Sequence, residues 1–264
     1  MKEILIGTSG YDYPEWMGVF YPADIKRKDF LSYYAQRFNA LEVNNTFYNM
    51  PDSKRMISMY DRTEGKIQFS IKANKLLTHQ IDYNWQTAAD EFISAVMPLK
   101  EKGCLASILF QLPQSFHYTE NNRFYLAALL KKFSGLPSAV EFRHREWIRE
   151  SLFEGLNKRN TSIVFCDMPQ LKYLPDGKIC RTPFTGSTAY IRLHGRNAAA
   201  WYACGDSVNG SARYDYDYSQ EELKSFIPVI NQAVHEDKKV QIYFNNHPKG
   251  SGALNALSLK DMLF

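Results

Sequence analysis

The sequence predicts a single α/β domain, a closed (β/α)8 barrel of parallel strands surrounded by helices. Eight short apolar segments recur along the 264 residues, and most are separated by segments with the spacing of an amphipathic helix. Strand–helix alternation repeated eight times is typical of this barrel. The length is close to the ~250 residues of one such barrel, and no linker divides the chain. We therefore expect one domain over residues 1–264.

Each predicted strand is a short apolar run, and nearly all of them end on a polar or charged residue. Because the carboxyl ends of all strands in such a barrel open onto one face, these end residues are expected to meet there. The runs are ILIG at 4–7, ALEVNN at 40–45, IQFSIKAN at 67–74, LASILFQL at 105–112, SAVEFRHR at 138–145, TSIVFCD at 161–167, TAYIRLHG at 188–195 and VQIYFNN at 240–246.

The helices between the strands are predicted from apolar residues that recur at intervals of three and four. Phe92, Val96 and Leu99 form one such face ahead of strand four. Ser219 and Glu222 have the spacing of a capping box, so a helix is expected to begin there and run towards the last strand.

One helix of the alternating pattern is expected to be very short or missing. Residues 168–187, between strands six and seven, contain Pro169, Pro175 and Pro183 and show no helical period. Proline disrupts the helix interior because it lacks the amide donor and its ring clashes with the preceding turn.

A second long loop, residues 195–218, is rich in aromatic side chains. Loops longer than ~15 residues are usually functional or disordered, and aromatic residues argue against disorder. The rings could stack on bases or sugars, or pack onto the barrel rim, and both interpretations remain open. The aromatic residues are Trp201, Tyr202, Tyr214, Tyr216 and Tyr218.

The composition is that of a globular protein with a mild basic excess. Lys and Arg number 32 against 28 Asp and Glu, which is compatible with a nucleic-acid or phosphorylated partner without requiring one. The cysteines, Cys104, Cys166, Cys180 and Cys204, form no C-x-x-C pair, so we expect a reducing, cytoplasmic setting. Because the first predicted strand starts at Ile4, we expect no signal peptide. No apolar run approaches the ~20 residues that span a bilayer.

Pairs of polar residues two positions apart mark three strand ends. Alternate residues of a barrel strand point inward, and a charged pair facing the helices is costly to bury, so the mouth of the barrel is the favoured location. The alternative is a ring of mutually neutralising ion pairs that closes the top of the barrel. The pairs are Glu42 and Asn44, Glu141 and Arg143, and Arg192 and His194.

The cations at the strand ends predict a site for an anion. Lys72, Arg143, Arg192 and Lys249 are expected to hold a phosphate group, for which arginine forks are well suited. The last strand is followed by a glycine-containing loop and a helix, where barrels often bind phosphate. Lys249, the glycine amides and Arg196 could form that cradle, and Gln111 and Asn245 are further candidate substrate-binding residues.

Carboxylates and a histidine provide candidate catalytic groups. Glu42, Glu141 or Asp167 is expected to act as a general base or to hold a single divalent metal such as Mg²⁺ or Mn²⁺, and His194 to transfer a proton with a pKa near neutrality. The sequence contains neither an H-x-H nor an H-E-x-x-H motif, so a multi-zinc site is not expected.

Three functional hypotheses follow, and hydrolysis of a phosphoester in a small molecule, nucleotide or nucleic acid leads them. The second is a non-catalytic barrel that binds nucleic acid or another ligand through its basic mouth. The third is a sugar isomerase or aldolase-like enzyme that uses a metal or a Schiff base on Lys72.

The chain also resembles the YecE-like family, known as domain of unknown function 72, over its whole length and in the same order. This resemblance implies a TIM barrel and no established activity; at the level of fold the family is similar to metal-dependent endonuclease and sugar-isomerase barrels. The histidine-rich ligand set of zinc endonucleases is absent from the sequence. The matching segments are GTSGYDYPEW at 7–16, FYP at 20–22, LEVNNTFY at 41–48, FSIKANK at 69–75, LFQLP at 109–113, AVEFRHREW at 139–147, YIRLHGR at 190–196, YDYDYS at 214–219 and YFNNHPKG at 243–250.

Overall fold

The computed structural model describes residues 4–176, 183–202 and 211–264. Its strands close into one barrel in which every neighbouring pair is parallel, including β1 with β8. The (β/α)8 barrel predicted from the sequence is confirmed. The strands are β1 (Ile4–Ser9), β2 (Ala40–Val43), β3 (Gln68–Lys72), β4 (Leu105–Gln111), β5 (Ser138–Glu141), β6 (Thr161–Asp167), β7 (Thr188–Leu193) and β8 (Lys239–Phe244).

Seven α-helices surround the barrel in the described part of the chain. The capping box at the start of α6 is confirmed, with the Ser219 hydroxyl accepting from the Glu222 amide and the Glu222 carboxylate accepting from the Ser219 amide. Between β6 and β7 the described residues contain no α-helix, as the prolines there predict. The helices are α1 (Phe30–Tyr34), α2 (Ser53–Arg62), α3 (Trp85–Glu101), α4 (Glu120–Lys132), α5 (Glu150–Asn157), α6 (Gln220–His235) and α7 (Ser251–Leu263).

Several strands end earlier than the sequence pattern predicts. β5 ends at Glu141, so Arg143 and His144 lie in the loop that follows, and a 3₁₀ turn at Arg145–Trp147 comes next. β7 likewise ends at Leu193. The alternation of polar residues continues past the last ladder hydrogen bond, which made the predicted bounds too long.

Gly7 brings β1 close to β2 and α1. A Cβ atom at this position would lie 1.9 Å from the carbonyl oxygen of Ala40 and 2.7 Å from the Tyr34 hydroxyl. That hydroxyl donates to the Ala40 carbonyl at 2.9 Å and accepts from the Thr8 amide at 2.8 Å. A side chain at position 7 therefore cannot be accommodated without moving backbone.

The loops after the first and last strands are joined at the carboxyl-terminal face. The indole nitrogen of Trp16 donates to the carbonyl of His247 at 2.8 Å. The ring of Tyr13 stacks on the imidazole of His247, with 4.6 Å between centroids. The seam of the barrel is thus held by loop contacts as well as by the β1–β8 ladder.

Cys104 and Cys166 are buried free thiols, whereas Cys180 and Cys204 lie outside the described residues.

No helix in the described ranges combines the length and apolar content needed to cross a membrane.

Candidate functional site

Arg192 lies at the centre of the barrel mouth between two buried glutamates. Its guanidinium donates to Glu42 at 2.6 Å and to Glu141 at 2.5 Å. The second oxygen of Glu42 accepts from the hydroxyl of Tyr190 at 2.7 Å. Arg192 is 1% exposed and both glutamates are fully buried. These predicted site residues are therefore brought together, in the ion-paired arrangement that the sequence left open as an alternative.

A second layer lies directly above this network. The Nε of Arg143 forms an ion pair with Glu141, and its terminal nitrogen lies 3.1 Å from Nε2 of His194. Because a guanidinium only donates, Nε2 must accept, and the ring carries its proton on Nδ1. The side-chain amide nitrogen of Asn245 lies 2.9 Å from that Nδ1; since two N–H groups cannot bond each other, the amide must be turned so that its oxygen accepts from Nδ1. Asn245 therefore orients the imidazole within the mouth.

The environment of His194 keeps its imidazole neutral. Burial, Arg143 and Arg192 lower its pKa to about 3. The near-neutral pKa expected from the sequence is wrong, because two cations from β7 and the β5 loop oppose a third positive charge. At neutral pH His194 can accept a hydrogen bond from Arg143, but it does not supply a proton.

Lys72 ends β3 on the open side of the same network. Its ammonium nitrogen donates to the side-chain oxygen of Gln111 at 3.0 Å and lies 4.6 Å from the centroid of the Phe47 ring. Burial and the nearby Arg192 lower its pKa to about 7. None of the ion pairs between described residues includes Lys72, so its charge lacks a fixed counter-ion.

Asp167 and Arg196 are not part of this cluster. Arg196 donates to both oxygens of Asp167 at 2.9–3.1 Å and to Glu222 at 2.8 Å, and the Tyr218 hydroxyl donates to Asp167 at 2.6 Å. The neighbouring Cys166 packs among the residues that fill the barrel. Since successive strand residues face opposite sides, Asp167 points towards α6 instead of the mouth.

Lys249 makes an exposed ion pair and has no contact with the buried cluster. Its side chain is 76% exposed and pairs with Asp215 at 2.8 Å. Lys249 and Arg196 are each paired with a different carboxylate, and the phosphate cradle predicted from them remains a prediction.

Two residues in the barrel interior were missed by reasoning from strand ends. Tyr190 holds Glu42, and the thiol of Cys166 lies beside Glu141 and has a pKa raised by burial and by that carboxylate. The alternation of inward- and outward-facing residues along each strand could have found both residues. Tyr190 precedes Arg192 by two positions, and Cys166 is offset by one from the outward-facing Asp167.

Aromatic residues of the β7–α6 loop cover one side of the mouth. The rings of Trp201 and Tyr214 lie 6.3 Å and 5.9 Å from the ring of His194, and Trp201 lies 5.6 Å from the guanidinium carbon of Arg143. Tyr218 is buried. These rings pack onto the barrel rim, which was one of the two interpretations of the loop; Tyr202, 51% exposed, remains available for stacking.

The mouth does not fit the divalent metal considered from the sequence. Atoms of Glu141, Cys166 and His194 that could bind a metal lie within 4.8 Å of one another. However, both oxygens of Glu141 face guanidinium groups, and Nε2 of His194 is occupied by Arg143. A divalent cation would be repelled by two adjacent cations. Of the other residues considered as ligands, Asp167 points elsewhere, and the oxygens of Glu42 accept from Tyr190 and Arg192.

A cavity of about 800 Å³ lies at the opposite, amino-terminal end of the barrel. That end carries stability more often than chemistry in (β/α)8 barrels, so the buried ion-pair cluster locates the candidate site better than cavity size does. The cavity lining includes Ser107, Lys131, Lys158, Arg159 and Thr188.

The chain is similar to bacterial proteins over nearly its whole length and theirs. It is 27% identical over 270 residues to UPF0759 protein YunF of Bacillus subtilis (strain 168), covering 98% of this chain and 94% of that protein. Among solved structures, a DUF72 family protein from Thermotoga maritima MSB8 is 32% identical, with a TM-score of 0.87 over 99% of both chains. A DUF72 family protein from Enterococcus faecalis V583, 23% identical with a TM-score of 0.86 over 99% of this chain and 95% of its own, shares the fold.

The family model described as "Protein of unknown function DUF72" matches residues 5–264, which is nearly the whole chain. The motifs quoted above from the sequence lie within that match and include the strand ends that build the mouth. The chain therefore belongs to the DUF72 family.

Proposed function

We propose that the protein is an enzyme that acts on a small phosphate-bearing substrate at the carboxyl-terminal face of the barrel. The observation that carries this proposal is the charge balance of the mouth. Glu42 and Glu141 are balanced by Arg192 and Arg143, and Lys72 is left on the open side with no fixed counter-ion. An anion is the ligand that completes this balance, since a charge that is removed from water requires a partner.

Phosphoester hydrolysis is the reaction that this arrangement supports best. Arg143, 12% exposed, can donate to the oxygens of a phosphoryl group and stabilise their charge. As water attacks phosphorus and the bond to the leaving oxygen breaks, protonated Lys72 can donate its proton to that oxygen, because a pKa near 7 suits a general acid at neutral pH. Lys72 then regains a proton from the oxygen that water has added to the phosphate. Phosphoryl transfer depends mainly on positioning and electrostatic stabilisation, so a strong carboxylate base is not required.

The glutamates support this chemistry indirectly. Burial alone would raise the pKa of Glu141, but Arg143 and Arg192 hold it well below its usual value. A carboxylate with a lowered pKa and two guanidinium partners is a poor general base. We therefore assign Glu42 and Glu141 the role of positioning the arginines, in place of the role as base expected from the sequence.

We expect Lys72→Met to reduce turnover of the best phosphoester substrate by about 100-fold or more, the usual contribution of one general acid. Release of inorganic phosphate from a panel of phosphomonoesters, phosphodiesters and nucleotides, with and without added Mg²⁺ or Mn²⁺, would measure this effect. Lys54→Met, which removes an exposed lysine from α2, is the matched control and should leave turnover unchanged. Equal turnover in both variants would remove Lys72 from the mechanism.

A second reaction is favoured by the same lysine. An amine with a pKa of about 7 is partly neutral at physiological pH and can form an imine with a carbonyl group, as in aldolases. Treatment with borohydride and a panel of phosphorylated aldehydes and ketones would trap an adduct on Lys72. An adduct together with absent phosphate release would favour this reaction over hydrolysis.

Salt-sensitive nucleic-acid binding that Lys72→Met leaves unchanged would instead favour the hypothesis of a non-catalytic barrel that binds nucleic acid.

Anion binding is expected to weaken as pH rises through 7. An anion prefers protonated Lys72, whose pKa is about 7, so the competent fraction falls about tenfold between pH 6 and pH 8. Sulfate is a suitable probe because it remains a dianion over this range, and calorimetric titration would give its dissociation constant. Lys72→Arg should bind sulfate with little pH dependence, since arginine stays charged. A pH-independent affinity in the unmodified protein would contradict the assignment.

A further inference from the structure

The loops after β4 and β5 bring two histidines and a glutamate together outside the barrel mouth. Nδ1 of His117 lies 3.3 Å from the carboxylate of Glu146, and Nδ1 of His144 lies 3.5 Å from the same carboxylate. The atoms of all three residues that could bind a metal lie within 4.8 Å of one another. His144 is buried, whereas His117 and Glu146 are about half exposed, so the cluster is open to solvent on one side.

The two loops are fixed to one another next to this cluster. The indole nitrogen of Trp147 donates to the carbonyl of Phe116 at 2.6 Å, and the two rings stack with 5.3 Å between centroids. Trp147 is 1% exposed and directly follows Glu146, while Phe116 directly precedes His117. Buried packing therefore fixes the main chain of the two loops beside the three residues.

The distances within the cluster suit a metal ion better than direct hydrogen bonds. Charge-assisted hydrogen bonds between nitrogen and a carboxylate are usually about 2.7–2.9 Å long, which is shorter than either contact here. Ligands that surround a zinc ion at about 2.0–2.1 Å in a tetrahedron are separated by about 3.3–3.4 Å. Two imidazoles and one carboxylate, with a fourth position open, form a common zinc ligand set.

The two arginines near the cluster donate to main-chain carbonyl groups, so they do not occupy the carboxylate that would bind a cation. The guanidinium of Arg145 donates to the carbonyl of Lys172 at 3.1 Å, and the Nε of Arg149 donates to the main-chain carbonyl of Glu146 at 2.9 Å. The carboxylate of Glu146 receives only weak contacts, at 3.3 Å from His117 and 3.4 Å from the Tyr118 amide. Nδ1 of His144 accepts from the main-chain amide of Glu146 at 3.3 Å, so it presents a lone pair and no proton to the carboxylate. This differs from Glu141 in the mouth, where two guanidinium groups occupy the oxygens.

We propose that His117, His144 and Glu146 form a binding site for a divalent transition-metal ion of the zinc type, with an open position for water or a ligand. His144 directly follows Arg143 in the chain, so the ion would hold the loop that carries this arginine. The site is separate from the proposed phosphate chemistry, and its existence does not depend on that function.

Calorimetric titration of Zn²⁺ into untagged, chelator-treated protein tests the proposal. We expect one ion per chain with a dissociation constant in the micromolar range or below, and His117→Gln and Glu146→Gln should each weaken it about tenfold or more. Both side chains are half exposed, so these variants should fold, which circular dichroism would verify. His235→Gln, an exposed histidine on α6, is the matched control and should bind like the unmodified protein.

Cobalt spectroscopy identifies the ligands independently. Co²⁺ bound to nitrogen and oxygen ligands should give visible bands without an intense thiolate charge-transfer band, and Cys166→Ala should leave the spectrum unchanged. A thiolate band that is lost in Cys166→Ala would place the ion in the mouth and overturn the proposal. Weak Zn²⁺ binding that is equal in the unmodified protein, His117→Gln and Glu146→Gln would also overturn it.

Discussion

Replacing Arg192 by methionine is expected to lower the free energy of unfolding by about 3–5 kcal/mol, the usual effect of removing one partner from a buried ion pair. The change would leave Glu42 in the barrel centre without a cationic partner, and Glu141 would keep only Arg143. Neither carboxylate is exposed to water, so solvent cannot replace the lost hydrogen bonds. Urea unfolding followed by circular dichroism would measure the loss.

Companion variants separate charge from packing. Adding Glu42→Gln to Arg192→Met should restore part of the lost stability, because one unpaired charge is removed while the size of the side chain is kept. Arg27→Met removes a surface arginine that pairs with Asp12 and should leave the urea midpoint close to that of the unmodified protein. If Arg192→Met unfolds at the same urea concentration as the unmodified protein, the buried network does not stabilise the barrel as described.

Gly7→Ala is expected to destabilise the protein by about 3 kcal/mol or more, at or above the upper end for overpacked sites. The added methyl group would overlap the carbonyl oxygen of Ala40, and this backbone atom is fixed in the closed ladder. Movement of β1 away from β2 would also separate the Tyr34 hydroxyl from its two main-chain partners. The yield of folded protein and its thermal midpoint would report the effect.

Gly155→Ala is the matched control for this substitution. Gly155 lies inside α5, and an added Cβ would lie 3.7 Å from the Arg159 side chain, an ordinary contact distance. Alanine favours helix over glycine by about 0.8–1.0 kcal/mol, so this variant should equal or exceed the unmodified protein in stability. Similar losses in both variants would indicate that the close approach at Gly7 is not the cause.

The sequence predicts the barrel well because its signals are local. Each apolar run, each helical face and the capping box at Ser219 depend on neighbouring residues, and the prolines of residues 168–187 account for the absence of an α-helix in the described part of that segment. Two of the predicted pairs, Glu141 with Arg143 and Arg192 with His194, meet in one cluster, since alternation decides which side of a strand faces inward.

The predictions that were wrong concern properties set by contacts between segments distant in the sequence. Asp167 ends a strand as Glu141 does, but its position in the alternation turns it towards Arg196 and Tyr218. The pKa of His194 is set by arginines 51 and 2 positions away in the chain, which no local pattern reveals. The site formed by His117, His144 and Glu146 also combines two loops, and its residues show no metal-binding spacing.

The pairing of β1 with β8 has a consequence for synthesis of the chain on the ribosome. Main-chain groups of β1 that face β8 cannot find their partners until Lys239–Phe244 has left the exit tunnel, and the Trp16 indole must wait for the His247 carbonyl. Until then the nascent chain has an open strand edge, which is a template for association with other chains. The unpaired edge of β1 must therefore be protected from association with other chains until translation of β8 is complete.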